Sequence, residues 1–218
     1  MSPARLPMAQ AGASPGTMKK RIILVVLAAA TAWWWYARAH APAAWEGRPA
    51  SEAPRQAADA LPASWKSGDY AVSPLARFSA RAVVLSRCNY RGGHDSALAR
   101  TDFALGWGPM SEAALINRIS VSQDMRWFMY SWRGDLGVPG TEISRSCANM
   151  HLIPADDTVR RELARTRRHD LLELSGYLVE VRHADGWTWR SSLSREDTGG
   201  GSCEVVWVES VKRARPGG

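Results

Sequence analysis

The apolar run at residues 22–37 constrains this chain more than any other feature. Lys19, Lys20 and Arg21 precede it, and its sixteen residues, "IILVVLAAATAWWWYA", carry no charge. A cationic flank ahead of such a run is the pattern of an export signal, with the cations held on the cytoplasmic side. As a helix rising about 1.5 Å per residue it reaches about 24 Å, against a hydrocarbon core of about 30 Å. That length is short for a span and long for a signal-peptide core. The flanks divide in the same way. Trp33, Trp34, Trp35 and Tyr36 suit the outer interface of an anchor, with Arg38 snorkelling beyond them. Ala37-Arg38-Ala39 has the small-x-small form that a signal peptidase cuts. Two readings therefore stand for residues 22–39, a retained transmembrane anchor and a cleaved signal peptide. Both place the remainder in the periplasm, single-pass from the bacterial inner membrane or released beyond it. Residues 1–21 read as a cytoplasmic tail and n-region, with Met18 an alternative start to Met1.

The 28 Lys/Arg against 21 Asp/Glu suggest a nucleic-acid binder at first sight. Split by segment, residues 76–212 hold 18 basic and 17 acidic residues, so the excess sits in the N-terminal third and the tail. A nearly neutral domain lacks the basic face that a polyanion requires, and no nucleic-acid partner is expected. The expected partners are the inner membrane and an envelope protein or small ligand.

Residues 40–75 read as a linker, because Pro42, Pro49, Pro54, Pro62 and Pro74 recur among alanines and interrupt regular structure. From residue 76 to 212 the pattern is strand-rich. "FSARAVVLSRCNY", "TDFALGW", "RWFMYSW", "EISRSCANMHLI", "LLELSGYLVEV", "WTWRSSL" and "CEVVWVESV" are apolar, β-branched or aromatic, and turn signals separate them. Two short helices interrupt them, one over residues 112–117 and one capped by Asp156 and running to about Arg168. Gly176, inside its strand, predicts a bulge, a bend or a close backbone approach. "HADG" predicts a hairpin turn. The expected fold is mainly β with two short helices, a small antiparallel and OB-like β-barrel behind the N-terminal helix. Residues 213–218 read as a disordered tail.

Cys88, Cys147 and Cys203 lack metal or redox spacing, and either one disulfide or three thiols fits an exported chain. Cys147, Asn149 and His151 are the residue types of a thiol hydrolase. On one strand, however, i and i+4 lie about 13 Å apart, too far for a nucleophile and its base. His94, His151, His169 and His183 show no paired spacing, so neither a metal nor another cofactor is expected. Asp102, Asp124 and Glu204 lie in or beside apolar strands, where an acid either faces solvent or pairs with an arginine. Trp187 and Trp189 share one face of their strand and could stack on a ligand. The binding residues this pattern favours are Asn149, His151, Trp187, Trp189, Arg195, Asp197 and Thr198, polar or aromatic groups near strand ends that would rim a cleft.

"WGPMSE", "CANMHLIPA", "LSGYLVEV" and "SSLSREDTGGGSCEVVWVES" together resemble an uncharacterised family of exported or membrane-anchored bacterial proteins. The resemblance covers about residues 77–211 and brings no activity, cofactor or catalytic residue with it. It implies only that these segments form one domain. The function expected from the sequence is a membrane-anchored periplasmic binding or envelope-assembly module. The rival is an envelope hydrolase using Cys147 or Ser192 as nucleophile.

Overall fold

A computed structural model describes residues 15–39, 50–194 and 203–214. The chain divides into two compact units, residues 1–42 and 43–218. In the first, helix α1 (Pro15–Ala39) contains the whole apolar run, with Ile22 to Leu27 exposed. No helix among the described residues is long and apolar enough to cross a membrane.

The second unit is mainly β. Its elements are β1 (Arg55–Ala57), β2 (Trp65–Ser67), β3 (Tyr70–Asn89), α2 (Gly93–Leu98) and β4 (Thr101–Gly106). After a 3-10 turn (Gly108–Ser111) come α3 (Ala113–Ile116), β5 (Ile119–Asp124), β6 (Trp127–Trp132), α4 (Gly140–Arg145) and β7 (Cys147–Pro154). The remainder is α5 (Asp157–Arg165), β8 (Leu171–His183), β9 (Thr188–Arg190) and β10 (Glu204–Ala214). Eight strands form one sheet in the order β1-β3-β4-β7-β10-β8-β9, with β2 paired to β3. β3 also pairs with β8, so it is hydrogen-bonded along residues 70–83 to one strand and along 83–89 to another. β5 and β6 make a separate hairpin.

Several expectations need correction. Pairing is not wholly antiparallel, since β7 and β10 run parallel. Five short helical segments replace the two expected. The stretch read as linker holds β1, β2 and the start of β3. Pro74 stays in register opposite Val179, and the register shifts just after it, leaving Leu75 without a partner before Ala76. "EISRSCANMHLI" is not one strand. Its first four residues belong to α4, and Ile143 of that helix is buried. The C-terminal residues Arg213 and Ala214 belong to β10, opposite Leu172 and Leu171. Ion pairing holds that end, with Arg213 Nη1 3.6 Å from Asp170 Oδ2.

The main core forms where Phe78, Phe103, Leu105, Met150, Leu152, Leu172 and Leu178 meet from successive strands. Each such side chain contributes about 1.5–3 kcal/mol by leaving water. α5 closes this core with Val159 and Leu163, four apart and therefore on one face. Its start is fixed as the sequence suggests: Asp156 Oδ1 accepts the Val159 N–H at 2.8 Å. Gly176 also meets its expectation, because a Cβ there would lie 1.9 Å from the Trp207 carbonyl oxygen. A second core beneath α3, α4 and the β5–β6 hairpin includes Leu85, Met110, Ile116, Ile143 and Cys147.

Candidate functional site

Residues directly opposite each other in neighbouring strands point to the same side of a sheet. The β4–β7 register sets Asp102 opposite His151 and Ala104 opposite Asn149, while Phe103 and Leu105 point into the main core. The face away from that core therefore carries Asp102, Asn149 and His151. Water does not reach it: these residues are 0%, 2% and 3% exposed. The sequence reading placed Asn149 and His151 on the rim of a cleft; they form a buried floor instead.

What covers the floor is the tip of the β5–β6 hairpin. Met125 and Arg126 both adopt positive φ, 46° and 69°, the backbone that a two-residue hairpin turn requires. That turn drives the Arg126 side chain back onto the sheet. Its Nη1 donates to Asp102 Oδ1 at 2.5 Å and to the Ala99 carbonyl at 3.0 Å. Nε donates to Asp95 Oδ2 at 2.9 Å, and Nη2 to Ser96 Oγ at 2.8 Å. The guanidinium also lies over the Tyr90 ring, 4.3 Å from its centroid. Asn149 secures the tip from below: its Nδ2 donates to the Arg126 carbonyl at 2.7 Å, and its Oδ1 accepts from Gln123 Nε2 at 2.7 Å.

A buried carboxylate is stable only when paired, and Asp102 has two neighbours on one oxygen, Arg126 and His151 Nδ1 at 2.9 Å. Its Oδ2 has no hydrogen-bond partner among the described residues. Tyr90 stands half-buried beside this group. Burial, followed by its bond to Cys88, pushes its phenol up to about 12, so it stays neutral while its oxygen accepts the Arg126 N–H at 3.1 Å.

A band of rings continues outward from the floor. His151 packs against Trp189 at 4.7 Å between centroids, and Trp189 lies 6.0 Å from Trp187. Trp187 in turn lies 5.1 Å from His94, and His94 is 4.3 Å from His183. The two tryptophans expected to share a face do come together, each half-buried. Arg195, Asp197 and Thr198 lie outside the described residues.

His94 and His183, read as isolated in the sequence, meet at Asp185. His94 Nε2 is 2.9 Å from Asp185 Oδ2, and His183 Nδ1 is 2.9 Å from Asp185 Oδ1. The Trp187 N–H bond, then the His183 bond, holds the Asp185 carboxyl down to about 2, well inside the ionised range at neutral pH. Three side chains from two distant segments thus offer the donor set of a metal site, where none was expected. A concavity that shares Ser96 with the Arg126 cluster is lined by Leu98, Arg100, Phe103, Leu152 and Arg160.

Both proposed hydrolase nucleophiles are engaged by backbone groups. Cys147 lies in the second core, where burial pushes its thiol up to about 12, and its Sγ contacts the Ile143 carbonyl at 3.3 Å. Ser192 Oγ is engaged in its own turn, donating to the Ser194 carbonyl and accepting the Ser194 N–H, each at 3.0 Å. All three cysteines are thiols.

Sequence reasoning missed Arg126 and the His94–His183–Asp185 group. The first had a legible signal: "ISVSQD" and "WFMYSW" flank "MR" as two alternating runs around a two-residue turn. The second had no local signal, because His94 and Asp185 are 91 residues apart. Asp102 was recognised as an acid inside an apolar strand, and its pairing with an arginine is what the structure contains.

No family model matches the chain, and no curated protein or solved structure does either. The likeness to exported bacterial proteins rests on the quoted sequence stretches alone.

Proposed function

We propose that residues 50–214 form a five-stranded OB-like barrel serving as a ligand-binding module, exported and held at the inner membrane by the N-terminal apolar segment. The observation that carries this reading is the strand order. β3 pairs with β4, β4 with β7, β7 with β10, β10 with β8, and β8 again with β3. In an OB-fold the first strand pairs with both the second and the fourth, the third and fifth run parallel, and a helix joins the third to the fourth. β3 is long enough to serve two partners, β7 and β10 are the parallel pair, and α5 lies between β7 and β8.

OB-folds bind oligosaccharides and oligonucleotides on the face of their second and third strands, using the loops after the first and fourth. The equivalent strands here are β4 and β7, which carry Asp102, Asn149 and His151. The connection between β3 and β4 supplies His94, Asp95 and Ser96, and the one that follows β8 supplies Trp187 and, in β9, Trp189. With Arg126 seated on the strands, the accessible part of this face is its rim, where Trp187 and Trp189 sit. Aromatic rings beside polar groups on a nearly neutral domain suit a saccharide better than a polyanion.

The test is equilibrium binding to the full chain in detergent, read by tryptophan fluorescence, with envelope oligosaccharides and single-stranded DNA as probes. Saccharide binding that weakens at least tenfold in both Trp187→Ala and Trp189→Ala supports the module. DNA binding that falls steeply with salt, or no saccharide binding, overturns it. A reporter active only outside the inner membrane, fused to the C-terminus, tests export. The hydrolase rival has no comparable support, because Cys147 is buried and protonated.

A further inference from the structure

We propose that His94, His183 and Asp185 form a three-donor site for a divalent transition-metal ion of the zinc class. Two imidazoles and one carboxylate are the donors zinc accepts at sites that keep positions open. The three side chains offer donor atoms that all lie within 4.8 Å of one another.

The distances accommodate a shared ion. Neighbouring ligands bonded at about 2.1 Å stand about 3 Å apart in octahedral geometry and about 3.4 Å apart in tetrahedral geometry. Both His–Asp separations are 2.9 Å. The remaining spacing, between the two imidazole donors, is within 4.8 Å and would close by rotation of the two half-buried rings. Their side chains are 29% and 22% exposed.

The backbone holds the donors in place beforehand. His183 ends β8, and the turn after it depends on Gly186, whose φ of 96° suits glycine. That turn is closed by the His183 N–H to the Trp187 carbonyl at 2.9 Å and by the Gly186 N–H to the His183 carbonyl at 3.1 Å. Asp185 is fixed in it by the Trp187 N–H, 2.9 Å from its Oδ1. From the other side, Tyr70 contacts His94 Nδ1 at 3.0 Å. That contact leaves Nε2 pointing at Asp185, the outer-shell arrangement that orients a metal-binding histidine.

His183 Nδ1 lies 2.9 Å from Asp185 Oδ1 and His94 Nε2 lies 2.9 Å from Asp185 Oδ2, so in the metal-free chain each ring nitrogen can donate a proton to the carboxylate. A metal ion would take the lone pairs of both nitrogens and release those protons.

The site is at the end of the ring band, and Asp185 is half exposed, so a bound ion would keep solvent-facing positions for water or a donor atom of a ligand. This inference goes beyond the binding-module reading and stands on its own geometry. Zinc binding can hold while saccharide binding fails, and the reverse.

The experiment is zinc titration of the full chain, untagged and stripped with chelator, in competition with a chromophoric chelator. One zinc per chain is expected. His94→Ala, His183→Ala and Asp185→Asn should each weaken binding at least tenfold without changing the near-ultraviolet circular dichroism of the metal-free chain. Tyr70→Phe, which removes an outer-shell contact, should weaken it by about tenfold or more. A Cys88→Ser/Cys203→Ser chain should bind as before, and cobalt substituted into it should show nitrogen–oxygen rather than thiolate absorption. Absence of stoichiometric binding overturns the proposal. So does binding that survives all three donor substitutions, or that disappears with the cysteines.

Discussion

Arg126 Nη1 donates to Asp102 Oδ1 across 2.5 Å, and this contact fastens the tip of the β5–β6 hairpin to the buried face of β4 and β7. The hairpin is an insertion between two neighbouring strands of the sheet. Its outer face carries exposed Met125, Trp127 and Met129. Its inner face packs Phe128 and Tyr130 against the second core.

Removing one partner of this pair should therefore cost far more than removing both. Arg126→Met leaves Asp102 fully buried with only His151 beside its carboxyl, and should destabilise the domain by about 3–5 kcal/mol. Arg126→Met combined with Asp102→Asn should recover more than half of that loss. Urea unfolding of the four chains in the double-mutant cycle measures both quantities. Equal losses in the single and double variants would mean that Arg126 acts by packing on Tyr90 rather than by its charge.

Gly176→Ala should be among the most damaging single-methyl changes in the domain. The added Cβ would stand 1.9 Å from the Trp207 carbonyl oxygen and 3.1 Å from the Glu209 nitrogen, both backbone atoms that cannot swing aside. The register of β10 already shifts between Val208 and Ser210 at this point, so the bulge and the glycine form one feature. Overpacking typically costs about 1–3 kcal/mol and more where backbone must move, so a loss above about 2 kcal/mol is expected in denaturant unfolding.

The sequence carried the strands and the α5 cap because both depend on local chemistry. Asp156 precedes an apolar pair four residues apart, which is a complete signal within eight residues. It carried Gly176 for the same reason, as a residue whose only local virtue is its missing side chain. The α4–β7 boundary was hidden because "EISRSCANMHLI" has no strong breaker, and only burial of Ile143 against the second core selects the helix. The site was legible one residue at a time. Asp102, His151, Trp187 and Trp189 each stood out, but their assembly depends on strand register and on a hairpin folding back, neither of which a linear pattern encodes.

Asp156→Ala removes the side chain that accepts the Val159 N–H while leaving Val159 and Leu163 in the core. The expected loss is about 1 kcal/mol, and Asp156→Ser should restore most of it, since serine caps nearly as well. The change should appear in stability alone. Zinc affinity measured on the same variant should equal that of the parent chain, because the donors His94, His183 and Asp185 all lie outside α5.

Cys147 gives the domain a pH dependence of definite sign. Burial, followed by the charge of Glu204, pushes its thiol from an ordinary 9.0 up to about 12. A raised folded pKa means that the native state holds the proton more tightly than the unfolded chain. The contribution is complete below pH 9, where both states are protonated. It fades as pH rises from 9 to 12, because the unfolded chain ionises there first. Stability measured at successive pH values should decline over this window in the parent chain, and the decline should be shallower in Cys147→Ala. Tyrosines titrating in the same range cancel in the difference except Tyr130, whose phenol is raised by burial and then by Cys147. Chemistry at the sulfur should follow the same logic. A thiol-reactive probe at pH 7.5 should leave Cys147 unmodified until the domain unfolds, because the thiolate that would react is both scarce and enclosed. Rapid labelling of Cys147 in the folded chain would contradict this placement and bring back the hydrolase rival.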